Sequence, residues 1–407
     1  MGRIVGRKRP NATVLKYYFI ILLYTCIDKL YGTVYVAHMS EKGLTSFQVG
    51  QVLAAASLAL SLFDYPTGNL ADKFGRKRAI VFGFAIWAIG LLAFVQADIQ
   101  AWFVVSIVFW AAGISLISGT PQAWLVDELS KEGKPDLKAK VFPRADAASL
   151  MIGAAVALLC SKLVADHPSF PLLLAGSLAM AAGAVLLFWL QENYGDKHIS
   201  FGRAVVRNTV DLMKEPFLRM LMFRAAAARI AFQTFVIIWQ LYMIKELQLP
   251  AAYLGVTMAV FMLVLAGGNF LAGIILQRLD GVSVSIISQT FIALGSLTMA
   301  FSTTVIAFYI GACLIEFGLG LDSSAASVWV HDVIPSERRA TYISAMYAVG
   351  SLFGFLIPLA AGYIADSFGY RYNWLFACAG SLLTMGLSVK IGSALKSKGG
   401  RPHVHSG

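Results

Sequence analysis

Four ionisable side chains sit in the middle of long apolar runs, where water would be scarce: Asp28, Lys29, Arg229 and Glu316. Placing such a group at the centre of a hydrocarbon layer costs at least ~2.5–3.5 kcal/mol, so it faces a cavity, a partner or a solute. A carboxyl there can take up and release a proton as its surroundings alternate between dry and wet, and a neighbouring cation tunes that exchange. Asp28 shares one helical face with Tyr24, Tyr31 and Tyr35, at spacings of four, three and four. It is the expected main proton site. Lys29 is turned about 100° away and reads as a structural partner or a snorkelling base more than a direct contact for a solute.

Arg229, Gln233 and Gln240 define a second polar face, and Tyr309, Glu316, Ser323 and Ser327 a third. A less polar fourth face aligns Ser106, Trp110, Gly113, Thr120 and Trp124. Glu316 and Arg229 have two open readings. Either Glu316 contacts solute or a second proton with Arg229 as the modulating base, or the two neutralise one another between helices. Arg224 reads as structural, Asp322 as a weaker site candidate than Glu316, and Asp64 as part of a gate. The tyrosine- and tryptophan-rich set, with acids balanced by bases, suits an amphipathic or zwitterionic organic solute.

Other chemistries find no support. Cys26, Cys160, Cys313 and Cys378 all fall in apolar runs without metal-ligand spacing, so packing is their expected role. The histidines form no zinc motif, no Gly-x-x-x-x-Gly-Lys-[Ser/Thr] loop is present to cradle phosphates, and no nucleophile, base and third group recur at a recognisable spacing. Neither an enzyme nor a bound cofactor or metal is expected.

The elements that must position these residues are membrane-spanning helices. Apolar residues make up 58% of the 407 and charged ones 14%, about half the ~25% usual in soluble domains. Apolar runs of roughly 20 residues or more follow one another, each long enough to cross a hydrocarbon core about 30 Å thick. Twelve helices are predicted, starting near Val14, Ser46, Ala79, Ala101, Phe142, Phe170, Phe217, Ala251, Val282, Val305, Ala340 and Tyr372. The first run is too long for the core of a cleaved signal and is interrupted by Asp28-Lys29.

The net charge of +11 is distributed as a topology signal. Arg3, Arg7, Lys8 and Arg9 precede the first helix, Lys131, Lys134, Lys138 and Lys140 follow the fourth, and Arg203, Arg207 and Lys214 lie in the central connection. Lys396, Lys398 and Arg401 follow the last helix, whereas the turns near Asp98 and Thr303 carry no base. This alternation predicts a multi-pass protein of the cell membrane with both termini cytoplasmic. No nucleic-acid partner is needed to explain the charge.

The chain also matches itself at a constant shift. Leu44 and Leu249, Gly50 and Gly255, Gly68 and Gly273, Trp124 and Trp329, Asp127 and Asp332, and Asp28 and Gln233 are each 205 residues apart. A fixed offset held across four helices signals duplication of a six-helix unit. The expected organisation is an N-terminal half over 1–192, a connection over 193–216 that is either a surface helix or a solvated linker, a C-terminal half over 217–394, and a tail over 395–407.

Between the second and third helices lies Gly68-Asn69-Leu70-Ala71-Asp72-Lys73-Phe74-Gly75-Arg76-Lys77-Arg78. An acid and a cluster of bases bracketed by Gly68 and Gly75 form a turn at the membrane surface, not inside it. This stretch resembles the loop signature of the major facilitator superfamily, G-x-L-A-D-x-x-G-R-[KR]-[KR]. The resemblance implies an all-α integral membrane protein with twelve helices in two pseudo-symmetric halves, and a central cavity lined by helices 1, 4, 7 and 10. It implies a secondary transporter of a small organic solute and, for Asp72, a gate contact with Arg76 and the start of helix 11. Further gate charges are expected in Asp127 against Arg144 and Asp332 against Arg339. The second copy of the signature, Ile275-Leu276-Gln277-Arg278-Leu279, has no acid.

The resemblance does not extend to the drug–proton antiporters of that superfamily. Helix 4 carries no arginine and helix 5 no glycine-proline pair. Proton coupling is the leading expectation, beside an uncoupled facilitator and a sensor or scaffold that no longer cycles. A monomer in the lipid bilayer is the expected state.

Overall fold

A backbone crossing a bilayer has no water to satisfy its N–H and C=O groups, so it must bond within itself. Every described crossing is accordingly an α-helix. The computed structural model describes the backbone of residues 11–166, 169–195, 216–301, 303–333 and 336–397. It describes the side chains of those residues except 65–66, 68–69, 165–166, 327–349, 351–352 and 396–397.

In chain order the helices are α1 (Ala12–Gly32), α2 (Tyr35–Glu41), α3 (Ser46–Phe74), α4 (Arg76–Gln96), α5 (Gln100–Ile117), α6 (Thr120–Lys131), α7 (Lys138–Asp166) and α8 (Phe170–Trp189). They continue with α9 (Pro216–Leu241, prolonged by a π turn over Tyr242–Glu246), α10 (Tyr253–Ile275), α11 (Gly281–Phe301), α12 (Val305–Val333), α13 (Ser336–Phe368) and α14 (Tyr370–Ser397). Among the described residues eleven segments are long and apolar enough to cross a membrane, and Phe353–Phe368 of α13 is a shorter apolar helix. The sequence places its twelve starts within a few residues of these.

Two crossings expected to be single helices are broken. The first is α1 and α2, interrupted at Thr33–Val34. The Thr33 hydroxyl donates to the Lys29 carbonyl at 2.6 Å, drawing off an acceptor near the helix end. The fourth is α5 and α6, where Gly119 adopts φ 71° and Pro121 follows without an N–H to donate.

The two halves repeat one packing scheme. A methyl group on Gly113 would overlap the Gly83 carbonyl and Trp87, and one on Gly318 would overlap the Ser288 carbonyl and Ile292. Each residue of the second set lies 205 beyond its counterpart in the first. Such close approaches need small residues, because in lipid it is packing rather than water exclusion that holds helices together. The halves meet along two seams, α3 against α13 and α7 against α10. Gly50 admits the Pro358 backbone at the first, and Gly255 admits the backbone of Ala157 and Ser161 at the second. Most of the connection between the halves, 196–215, and the tail from 398 onward lie outside the described residues.

Candidate functional site

Asp28 and Lys29 of α1 lie partly exposed between the two halves. The Lys29 ammonium turns back to the Asp28 carboxylate at 2.7 Å, and the two side chains are 24% and 26% exposed. Adjacent residues point about 100° apart, but the four-carbon stem of lysine closes that gap. A methyl on Gly153 of α7 would touch that stem, so Lys29 leans into the α7–α10 seam. Asp28 lies within electrostatic reach of Tyr24, Tyr31 and Tyr35. Tyr31 packs edge-on against Tyr35 and Trp110, each with ring centroids 5.6 Å apart, and Tyr24 packs on Trp87 at 5.1 Å.

Glu316 on α12 is also partly buried, and Lys29 from the other half lies within electrostatic reach of it. Neither an ion pair nor a hydrogen bond engages its carboxyl among the described residues. Of the two open readings for Glu316 and Arg229, direct pairing is not seen among the described residues. Arg229 instead lies against Gly350 of α13, and Gln233 lies beside Gly354 and Ser57 at the α3–α13 seam. Among the described residues the buried Gln233 carbonyl oxygen finds no hydrogen-bond partner.

Gln240 departs furthest from its expected place. It is fully buried, donates to the Gly32 carbonyl at 3.0 Å and accepts from the Ala37 N–H at 3.1 Å. These are the backbone groups on either side of the break in the first crossing, so Gln240 joins the halves instead of lining a cavity. On α5, Ser106 and Gly113 face α4, and Trp124 of α6 is buried at the signature turn. Of that fourth face only Trp110 reaches the tyrosine cluster. Asp64 is exposed and lies within electrostatic reach of Tyr24.

The signature turn is a closed network around one buried guanidinium. Arg76 donates through Nε and Nη2 to Asp72 Oδ1 at 3.1 and 3.0 Å, and through Nη1 to the Ala123 carbonyl at 2.7 Å and to Asp127 Oδ2. Charge-assisted bonds of this kind are the strong ones. Asp127 thus pairs with Arg76 and not with Arg144, which is exposed and makes no described ion pair. The geometric reason is that α6 turns Asp127 toward the start of α4, away from the surface where Arg144 points. Asp332 and Arg339 lie outside the residues whose side chains are described, and so does any contact between Asp72 and the start of α13.

Sequence reasoning missed the segment that completes this network. After α8 the chain returns across the turn, with the Asn193 carbonyl accepting from Arg76 N–H at 2.9 Å and Glu192 Oε1 accepting from Lys77 N–H at 2.9 Å. Glu192 is an anion over the N-terminus of α4, where free N–H groups and the helix dipole favour it. A methyl on Gly75, whose φ is 111°, would overlap the Glu192 carboxylate. Asn193 Nδ2 donates to the Trp124 carbonyl and to Glu128, both at 3.1 Å, and the Gln191 carbonyl accepts from the Trp124 indole at 2.9 Å. The available signal was Gly75 itself, a position that must stay empty for something to fill.

On these features the chain is similar to known transporters. The Major Facilitator Superfamily model matches residues 17–228 and again 221–401. An uncharacterized MFS-type transporter of Pseudomonas aeruginosa is 27% identical over 371 residues, 86% of each chain. The zebrafish (Danio rerio) solute carrier family 2 facilitated glucose transporter member 10 is 29% identical over 120 residues, which is 29% of this chain and only 23% of that one. Among solved structures, a mutant of the nucleoside transporter NupG superposes with a TM-score of 0.84 at 13% identity, covering 93% of this chain and 99% of that one. A bacterial homolog of the human lysosomal transporter Spinster, inward-facing and occupied, gives 0.75 at 13% identity, covering 96% and 98%. At such identities the structural likeness speaks for the fold alone.

Proposed function

The chain belongs to the Major Facilitator Superfamily, and from that premise we propose that this multi-pass membrane solute transporter is a secondary active one, coupled to protons. It moves a small organic solute by rocking its two halves about the α3–α13 and α7–α10 seams, so that the residues between them face one side at a time. The observation that carries the coupling is that one ammonium serves two carboxyls. Lys29 pairs with Asp28 and also lies within electrostatic reach of Glu316. A single positive charge compensates one carboxylate at a time, so the other is compensated by a proton or by a cationic group of the solute.

Asp28 already holds the direct ion pair, which makes Glu316 the better proton carrier and Asp28 the anchor that positions Lys29. The aromatic wall of Tyr24, Tyr31, Tyr35 and Trp110 would take the apolar face of the solute. Arg229 and Gln233 then approach it from the opposite half. In this reading the signature side is cytoplasmic, with both termini on that side, the network of Arg76, Asp72 and Asp127 anchors the gate, and the transporter works as a monomer.

The test is transport into sealed vesicles of a solute chosen by thermal-shift screening across nucleosides, hexoses and zwitterionic aromatic compounds. Glu316→Gln is expected to abolish accumulation driven by a pH gradient while sparing exchange at equal pH. Continued uphill accumulation by that variant would remove Glu316 as the coupling residue. Flux of the unaltered protein that ignores the pH gradient would make it an uncoupled facilitator.

A further inference from the structure

The face opposite the signature turn is bolted shut by two contacts that join the halves through backbone groups. At the first, the break at Thr33–Val34 interrupts helical bonding, and Gln240 from α9 fills the gap by bonding the Gly32 carbonyl and the Ala37 N–H together. Its carboxamide offers one donor and one acceptor in the sense the break requires. At the second, Asp366 of α13 accepts from Ser46 N–H at 3.0 Å and from Phe47 N–H at 2.8 Å, one carboxylate oxygen for each. These are the first donors of α3. The next one, Gln48 N–H, is taken by the Thr45 hydroxyl within a capping box. Asp366 is therefore the missing part of that helix cap, supplied by the other half, and Tyr370 adds a hydroxyl contact to Ser46 at 3.3 Å.

The signature side is different. Among the described residues no hydrogen bond or ion pair there crosses between the halves; those of Asp72, Arg76, Asp127 and Glu192 all stay within the N-terminal half.

We propose that Gln240 and Asp366 are positioning residues for alternating access, a two-point latch that selects the state closed on this face and that must part before the face can open. The proposal rests on the transporter reading only for its purpose; the latch itself is a statement about two conformations. The physical basis is asymmetric. In the closed state Gln240 and Ala37 are buried, and an unsatisfied backbone group there is costly, whereas the Asp366 contacts lie at the exposed rim and weigh less. In the open state water reaches those groups and replaces the latch. Removing the latch side chains thus penalises the closed state and leaves the open one nearly untouched, so the population moves toward open.

Spin labels at Asp98→Cys and Thr303→Cys, on exposed turns of the two halves at this face, report the opening by pulsed electron resonance in nanodiscs without any solute. The four native cysteines are replaced beforehand. The parent is expected to show mainly the short separation, and Gln240→Leu combined with Asp366→Asn to raise the open fraction about tenfold. An unchanged distance distribution in a variant that keeps its cooperative melt overturns the latch. If the double variant fails to fold, Gln240→Met decides, because it keeps a similar volume and loses both the acceptor for Ala37 and the donor to Gly32. A shift toward the longer separation supports the latch, and none overturns it. A shift in a protein that moves no solute in any assay would sink the transporter reading and leave the latch standing.

Discussion

The two halves of the molecule descend from one pattern yet anchor their signature-side ends by opposite means. In the N-terminal half Arg76 meets Asp72 and Asp127 at the membrane surface, and the two carboxylates remain 34% and 37% exposed. At the 205-residue offset the C-terminal half has Gln277 in place of Asp72 and Gly281 in place of Arg76. It holds a buried pair instead. Arg224 of α9 meets Asp322 of α12, with side chains only 6% and 12% exposed, and Ser285 of α11 and Ser388 of α14 complete the network. The counterparts of Arg224, Asp322 and Ser285 in the first half are Phe19, Ile117 and Ile80, all apolar.

The difference is one of solvent. Carboxylates at the water's edge can exchange their bonds to the buried Arg76 for water at modest cost to themselves, so they can take part in a moving gate. A desolvated pair cannot, because parting it strands a charge in a dry interior. The first arrangement suits a part that changes partners, and the second suits a part that holds four helices in one arrangement throughout the cycle.

The largest expected effect tests the buried side of this contrast. Arg224→Leu leaves Asp322 without its base and should cost about 3–5 kcal/mol, read as a large fall in melting temperature. Adding Asp322→Leu restores the apolar solution of the other half and should recover most of the loss, since well-packed apolar replacements of buried pairs are often neutral. A single variant as stable as the parent would erase the distinction between the halves.

A smaller effect on stability, with a larger one on function, is expected at the surface network. Asp72→Asn should change stability by less than about 1 kcal/mol, because the carboxylate is a third exposed and water screens it. Transport should nevertheless fall, since about 1.4 kcal/mol of differential stabilisation moves a two-state population tenfold. Unimpaired turnover would reduce the signature turn to a topological anchor.

The smallest effect sharpens the same point with a third surface carboxylate. Glu132, outside the membrane-spanning segments, accepts from the Thr13 hydroxyl and from Asn11 Nδ2, and these bonds hold its carboxyl below the ordinary glutamate range. A carboxyl lowered in the folded state contributes stability above its unfolded pKa and loses it as the pH falls through the folded one. Glu132→Gln should therefore cost no more than about 0.5 kcal/mol near neutrality. The difference in melting temperature from the parent should vanish in acid. A difference that grew on acidification would reverse the assigned direction.

The chain's own pattern determined a great deal. Run length and charge bias define a multi-pass helical protein, the 205-residue offset points to its two halves, and Gly50, Gly113, Gly255 and Gly318 mark where helices approach closely. The tyrosine face around Asp28 was legible because a helix repeats every 3.6 residues and side chains four apart must be neighbours. That rule operates within one helix. Which side chain meets which across two helices depends on their relative rotation and sliding, and no spacing along the chain records either. So tertiary structure alone decided that Asp127 meets Arg76 and not Arg144, and that Lys29 of one half comes within electrostatic reach of Glu316 of the other. It also decided that Glu192 returns from the far end of the half to cap α4. Gln240 is the clearest case. Its position on the polar face of α9 was readable, but its partners exist only because the first crossing breaks at Thr33–Val34, just after Gly32, and because α9 presents a carboxamide to that break.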